Sequence, residues 1–163
     1  NFNISYPWIR VGKGIRCQWS VKFWAPHNKI MIGNHVSIGP HCTIQVDSRL
    51  GNHVMFASYV SLIGRDAHTT QEPGKTMIES PRGDKLNIVI EDDVWIGFGA
   101  ILLSGITVGK GSIVAAGAIV TKDVPPFAIV GSPRAKFLGY RFDENHARIH
   151  EGILRDRGII HVD

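Results

Sequence analysis

Residues 90–125 read IEDDVW IGFGAI LLSGIT VGKGSI VAAGAI VTKDVP when written in sixes. Each six opens on an apolar residue: Ile90, Ile96, Leu102, Val108, Val114 and Val120. The same phase runs through residues 32–67, at Ile32, Ile38, Ile44, Leu50, Phe56 and Leu62. In a chain that is 44% hydrophobic, twelve successes in twelve have odds of roughly 5 in 100,000, so the period is a repeat. The fifth residue of most sixes is small or β-branched, as at Val36, Cys42, Val54, Val60, Ala100 and Ala118. The second is often glycine, as at Gly33, Gly39, Gly51, Gly97 and Gly109. Neither a helical period nor a simple strand alternation produces this spacing.

A unit of six residues is a short strand plus a tight corner. Three units close a triangular coil of eighteen residues, and coils stack about 4.8 Å apart as hydrogen-bonded strands do. The large apolar residue fills the interior, and the small fifth residue fits where the chain turns inward. No coil buries its apolar face alone, so stability is a sum over neighbours. Four coils are read directly, at 32–49, 50–67, 90–107 and 108–125. An irregular first coil is expected over residues 1–31, because the Trp19 to Pro26 stretch does not keep the phase. A β-sandwich would not hold a strict phase of six. The chain therefore reads as a single domain over 1–163, an all-β solenoid with a C-terminal extension over 126–163.

The phase holds through Ala67 and resumes at Ile90. The 22 residues between, His68 to Val89, are polar and rich in glycine and proline, for example Pro73, Gly74, Pro81 and Gly83. They read as one protruding loop from a single corner, and a long loop in a compact repeat is usually functional. His68 stands at its base. An imidazole titrates near pH 6.5, in roughly the range of a general base at neutral pH. A solvated loop histidine is the plain alternative. Asp66 either orients that imidazole or marks the point where the coil opens. His35, His41 and His53 fall at the fourth place of a six, an outward corner. His35 and His53, eighteen apart, should stack on one edge. None of these has metal-ligand spacing, and no metal is expected.

Composition narrows the function. The net charge of +4 suits an anionic small molecule better than nucleic acid, and no basic and aromatic stripe marks a nucleic-acid face. Apolar runs are far shorter than a membrane span requires. Cys17 and Cys42 are the only cysteines. Cys42 occupies a small inward position and reads as a core thiol, so a disulfide scaffold is not expected and a reducing cytoplasm fits. Between Asp143 and Gly158, Phe142, Ile149, Ile153 and Leu154 make a stripe at helical spacing. A short helix there should pack on a prism wall, with Glu144, Arg148, Glu151 and Arg155 on its solvated side.

Residues 90–136 carry a recognisable order: VWIG, then GITVGKG, then IVTKDVPP, then Gly131-Ser132-Pro133. Over about residues 30–140 the chain resembles the hexapeptide acyltransferases, the left-handed parallel β-helix enzymes that include galactoside, maltose and xenobiotic acetyltransferases. The resemblance implies acetyl-CoA as co-substrate and a homotrimer with sites between subunits. It carries the role of catalytic base onto His68, which follows the segment FASYVSL (56–62) at the matching distance. It places Trp95 on the pantetheine arm, with Phe98, Ala116 and Thr121 lining the same coenzyme. Lys122 and the basic residues after Pro133 would approach the phosphates. Relatives usually carry alanine where this chain has Arg134, so either Arg134 or Lys136 would meet the phosphate. The implied activity is O-acetylation of a sugar, as in surface-polysaccharide synthesis. N-acetylation of an amino or nucleotide sugar, a xenobiotic acceptor, and a non-enzymatic scaffold are the alternatives. A serine acetyltransferase fits less well, since that family's Asp-Arg-His-Pro segment is absent.

Overall fold

The structure is a computed structural model that describes residues 8–25, 27, 29–64, 76, 78–81, 83, 86–131 and 136–158. Short strands stack into three parallel faces. The first face holds Ile9–Val11, Ile30–Ile32, Ser48–Leu50, Ile88–Ile90 and Ile106–Val108. The second holds Arg16–Cys17, Ser37–Ile38, Met55–Phe56, Trp95–Ile96, Ile113–Val114 and Ala128–Gly131. The strand Lys136–Tyr140 then runs antiparallel along its end. The third holds Lys22–Phe23, Thr43–Gln45, Ser61–Ile63, Ile101–Leu103 and Ile119–Val120. This is the expected left-handed parallel β-helix.

Register follows the period of six. Ile32 pairs with Leu50, Leu50 with Ile90 and Ile90 with Val108. Ile38, Phe56, Ile96 and Val114 form the second column, and Ile44, Leu62, Leu102 and Val120 the third. Partners are eighteen apart except across the loop, where Leu50 meets Ile90 after forty, eighteen plus the 22 of the excursion. All twelve opening residues are buried, and so are Val36, Cys42, Val54, Val60, Ala100 and Ala118.

The first coil departs from the expected irregularity. Val11, Cys17 and Phe23 pair with Ile32, Ile38 and Ile44, each 21 residues on. Its strands keep the spacing of six, and three extra residues sit at one corner between Trp24 and Lys29. The insertion shifts the phase without disturbing the stack, which is why the Trp19 to Pro26 stretch looks out of step in one dimension.

Two of the three corners are built by residues in the left-handed region. Gly14, His35, His53, Asp93, Gly111 and Phe127 form the first corner, between the first and second faces. Ser20, His41, Tyr59, Gly99 and Gly117 form the second, between the second and third faces. Such a conformation costs a side-chain-bearing residue about 1 kcal/mol or more. Stacking between coils offsets it: the His35 and His53 rings lie 4.9 Å apart, and the His41 and Tyr59 rings 4.7 Å apart. At the first corner a ladder of side-chain oxygens also caps backbone amides. Lys13 N donates to Asn34 Oδ1 at 2.8 Å, Asn34 N to Asn52 Oδ1 at 2.8 Å, and Asn52 N to Asp92 Oδ1 at 2.6 Å.

The C-terminal helix α1 spans Glu144–Asp156, with Asp143 accepting from His146 N at its start. It docks differently from the expected apolar stripe. Leu154 is buried, while Ile149 and Ile153 are exposed. Its anchors to the prism are polar: Lys110 Nζ pairs with Glu151, and His150 Nε2 with Asp93 Oδ2 at 3.0 Å. Arg141 reaches the same Asp93 oxygen at 2.8 Å. Glu151 is thus an anchor and not merely part of a solvated face. No helix among the described residues is long and apolar enough to cross a membrane.

Candidate functional site

The second face and second corner gather most of the described residues expected around a coenzyme. Trp95 lies in register between Met55 and Ile113 with its ring outward, 47% exposed. In its six it takes the last place, opposite in direction to the buried Ile96. Phe98 sits at the corner, 56% exposed, against Tyr59 at 5.3 Å between ring centres. Tyr59 stacks on His41, and His41 meets Trp19 edge-on at 4.3 Å. A column of rings therefore climbs this edge and ends at Phe98.

Above Phe98 the side chains become minimal. Gly99, Ala116 and Gly117 line the corner, and a Cβ added at Gly99 or Gly117 would meet nothing within 4 Å. Gly97 is different: its added Cβ would fall 2.5 Å from Ala116 N, so this glycine is required by close packing of coils. The result is a bare strip of backbone beside two exposed aromatic rings, open to an extended chain. Lys136 pairs with Gly131 at the end of the second face, next to this strip, and is exposed.

Thr121 and Lys122 are exposed but belong to the third corner, between the third and first faces. Ala116 and Thr121 are five residues apart, across the corner at Gly117 and the strand Ile119–Val120, at most about 15 Å. The structure therefore unites Trp95, Phe98, Ala116 and Lys136 on one edge and places Thr121 and Lys122 on the next. His68, Asp66 and Arg134 lie outside the described residues.

The loop leaves from and returns to the third corner. Ser104 N donates to Ile63 O at 2.9 Å on the outgoing side, and Gly105 N to Asn87 O at 2.7 Å on the returning side. Leu86 covers Gly105 closely enough that an added Cβ would meet its Cδ1 at 2.6 Å. At the same corner, one coil below, stands a pair the period of six did not single out. His27 Nδ1 lies 2.5 Å from Asp47 Oδ2, and Asp47 also accepts from His27 N at 3.2 Å and Lys29 N at 3.0 Å. Asp47 is buried, whereas the His27 side chain is 47% exposed. The three-residue surplus of the first coil brings them together; its only sequence trace is the shifted phase. Among the described residues no group of three His, Cys, Asp or Glu is placed to hold a metal ion.

The burial of the two cysteines raises both thiol pKa values. Cys17 is pushed up to about 11, by burial first and by Cys42 second. Cys42 is raised by burial, against hydrogen bonds from the Val60 and Tyr59 backbone. Neither is a nucleophile at neutral pH.

Comparison with known proteins matches residues 87–122 to the bacterial transferase hexapeptide family (six repeats). Among curated proteins, a chloramphenicol acetyltransferase of Klebsiella aerogenes is 32% identical over 117 residues, 72% of this chain and 54% of that protein. A 2,3,4,5-tetrahydropyridine-2,6-dicarboxylate N-acetyltransferase of Staphylococcus aureus is 53% identical over 62 residues, 38% of this chain and 25% of that protein. The chain spans about half or less of the length of the curated relatives it matches. Among solved structures, a hexapeptide-repeat-containing acetyltransferase of Vibrio cholerae in complex with acetyl-CoA is 30% identical. It superposes with a TM-score of 0.67, over 81% of this chain and 70% of that one. Repeat, coil register and this likeness agree, and the chain belongs to the hexapeptide-repeat acetyltransferases.

Proposed function

We propose that this protein transfers an acetyl group from acetyl-CoA to a hydroxyl of a saccharide, with His68 as general base. The observation that carries the coenzyme half is the second edge. Trp95 and Phe98 stand exposed beside the bare strip of Gly99, Ala116 and Gly117. A pantetheine arm is long, narrow and amide-bearing, and fits such a strip. Its phosphates would meet Lys136 or Arg134 and, across the third face, Lys122, with Thr121 beside it. The Vibrio structure, which holds acetyl-CoA on the same fold, supports this reading.

In the reaction the acceptor oxygen attacks the thioester carbonyl while His68 takes its proton. The tetrahedral oxyanion collapses, the C–S bond breaks, and the imidazolium returns the proton to the leaving sulfur. An acetyl ester and coenzyme A result. The loop from the third corner would face the acceptor. A homotrimer placing one prism's second edge against a neighbour's third corner would bring Trp95 and His68 to one site. A cytoplasmic role in surface-polysaccharide synthesis is the setting we favour. The chloramphenicol acetyltransferase likeness favours a second reading, a xenobiotic acceptor.

The test is release of free thiol from acetyl-CoA across sugars, amino sugars and chloramphenicol, with sedimentation for the trimer. His68→Ala should lower kcat by about 10²–10⁴-fold with coenzyme affinity unchanged. Full turnover in that variant removes His68 from the chemistry. Fast turnover on amino sugars alone, with only a mild effect of the substitution, moves the reading to N-acetylation.

A further inference from the structure

At the first corner, away from the acetyl-transfer edges, the prism and the end of α1 enclose a cleft of about 520 Å³. We propose that this cleft is a phosphate-binding site. Lys13, His35 and His53 reach it from three successive coils, and Arg157 from the helix end; Asn34 and Asn52 lie between them.

The case rests first on charge. Among the described residues no carboxylate lines the cleft. The nearest are already engaged: Asp92 Oδ1 accepts from Asn52 N at 2.6 Å, and Asp93 Oδ2 holds Arg141 at 2.8 Å and His150 at 3.0 Å. Among the described residues neither Lys13 nor Arg157 has an ion-pair partner. At the helix end Arg157 N takes Ile153 O at 3.1 Å and Gly158 N takes Arg155 O at 2.8 Å, so two of the terminal carbonyls are already occupied.

Geometry selects the ligand. Arg157 offers a planar fork of donors, Lys13 a mobile ammonium, and the two imidazoles further N–H groups. Four donors of three shapes around one cleft suit a tetrahedral oxyanion with several acceptor oxygens. The imidazoles stack 4.9 Å apart at 24°, so their lone pairs run side by side and do not converge on a metal. Stacked imidazoles also resist double protonation. His53 is held below the usual histidine range by burial, then by His35 and Arg157, against the opposing pull of Asp93 and Asp92. A bound dianion reverses that balance and turns both rings into charged donors.

This inference stands independently of the acetyl-transfer reading. The cleft lies on the first corner, whereas Trp95 lies on the second face, Phe98 and Ala116 on the second corner and Lys122 on the third. The phosphate comes either from free inorganic phosphate or from a phosphoryl group on a larger molecule, and the chemistry is shared.

The experiment is an NMR titration of the His35 and His53 rings in the full chain, assigned with His35→Gln and His53→Gln. Inorganic phosphate is added at constant ionic strength against chloride and acetate controls. Phosphate should raise both titration midpoints by about one pH unit in a saturable way. Lys13→Gln combined with Arg157→Gln should weaken the phosphate response at least tenfold, and a thermal upshift seen with phosphate should vanish in the same variant. Glucose 1-phosphate and ADP form the second arm: tighter binding than inorganic phosphate assigns the group to a larger ligand, and equal binding to the free ion. An equal response to chloride or acetate overturns the proposal. So does an undiminished phosphate response in the double variant. A parallel loss of coenzyme A affinity in Arg157→Gln also overturns it, since the phosphates held would then be the coenzyme's own.

Discussion

Replacing Trp95 by alanine separates a coenzyme-binding ring from one that only packs. A tryptophan side chain presents about 250 Å², and 47% exposure leaves roughly 120 Å² available to a ligand. Covering half of that area at about 25 cal/mol per Å² is worth about 1.5 kcal/mol, a tenfold change in Kd; covering all of it approaches 3 kcal/mol, above a hundredfold. Trp95→Ala should therefore weaken coenzyme A by about 10- to 100-fold in calorimetric titration. The rest of the ring is shielded from solvent on a strand paired in register with Met55 and Ile113, so urea unfolding should also report a loss of about 1–2 kcal/mol, with an unchanged m-value. The coils remain folded, because the interior residue of this strand is Ile96 and it is untouched. Coenzyme affinity within twofold of the parent would refute the assignment. A variant that sediments as a monomer and regains coenzyme binding at high concentration would instead place Trp95 between prisms.

Leu102→Ala, deep in the third column between Leu62 and Val120, should cost about 2–5 kcal/mol by denaturant unfolding. Val11→Ala at the half-exposed first coil should cost under about 1 kcal/mol; equal losses would contradict a stack with an open end. Gly97→Ala drives a Cβ to 2.5 Å from Ala116 N and should destabilise by about 1–3 kcal/mol, and it should also impair coenzyme binding. Gly117→Ala meets open space and should cost only the left-handed backbone, about 1 kcal/mol. Thermal melts of the pair decide between clash and backbone. For Cys17, the folded thiol pKa of about 11 lies above the ordinary thiol value of 9.0. The folded state then holds the proton longer than the unfolded chain, so this group's contribution is intact below pH 9 and is lost between pH 9 and 11. Alkylation of native protein at pH 8 should be slow, Cys17→Ala should flatten the alkaline fall in stability, and rapid native-state labelling would contradict the burial.

The prism was legible because its physics is one-dimensional. Each opening residue points inward for the same reason, so Ile38, Phe56 and Ile96 can be placed without knowing the fold around them. The outward corner position of His35 and His53 and their contact one coil apart follow from the same count. The 22-residue excursion declares itself as an exact interruption of phase. What the period does not carry is any relation between residues outside the repeat. His27 meets Asp47 only because three extra residues lengthen one corner, and nothing local announces that geometry. Helix α1 shows the second failure. Ile149 and Ile153 keep helical spacing but face solvent, while Lys110 and Glu151, 41 residues apart, make the anchor. An apolar stripe predicts a face, not whether a partner surface exists to cover it. Trp95 and Phe98 entered through the family resemblance and not through the period, and the structure shows both rings exposed.

Corners, not faces, are where this architecture can vary its chemistry. The interior is taken by packing, and the faces have their backbone groups spent on the ladder. A corner residue in the left-handed region bonds its backbone N–H to the coil below, as His53 N does to Asn34 O at 2.8 Å, but its side chain projects outward and is free of core packing. Glycine would serve there at no conformational cost, yet Ser20, His35, His41, His53, Tyr59, Asp93 and Phe127 stand at positive φ. Strain retained where a cheaper residue is available points to what the side chain does, and the inference runs from the observed conformation to the role. At the second corner the strained positions carry Ser20, His41 and Tyr59 and then give way to Gly99 and Gly117, where an extended ligand needs backbone within reach. At the first corner, between Gly14 and Gly111, they carry two imidazoles and then Asp93, which fastens the helix that closes the basic cleft, and Phe127 follows beyond Gly111. The change from side chain to glycine occurs at different heights on the two edges. A purely structural demand on the corner would act on both alike, so the difference reflects what each edge must hold.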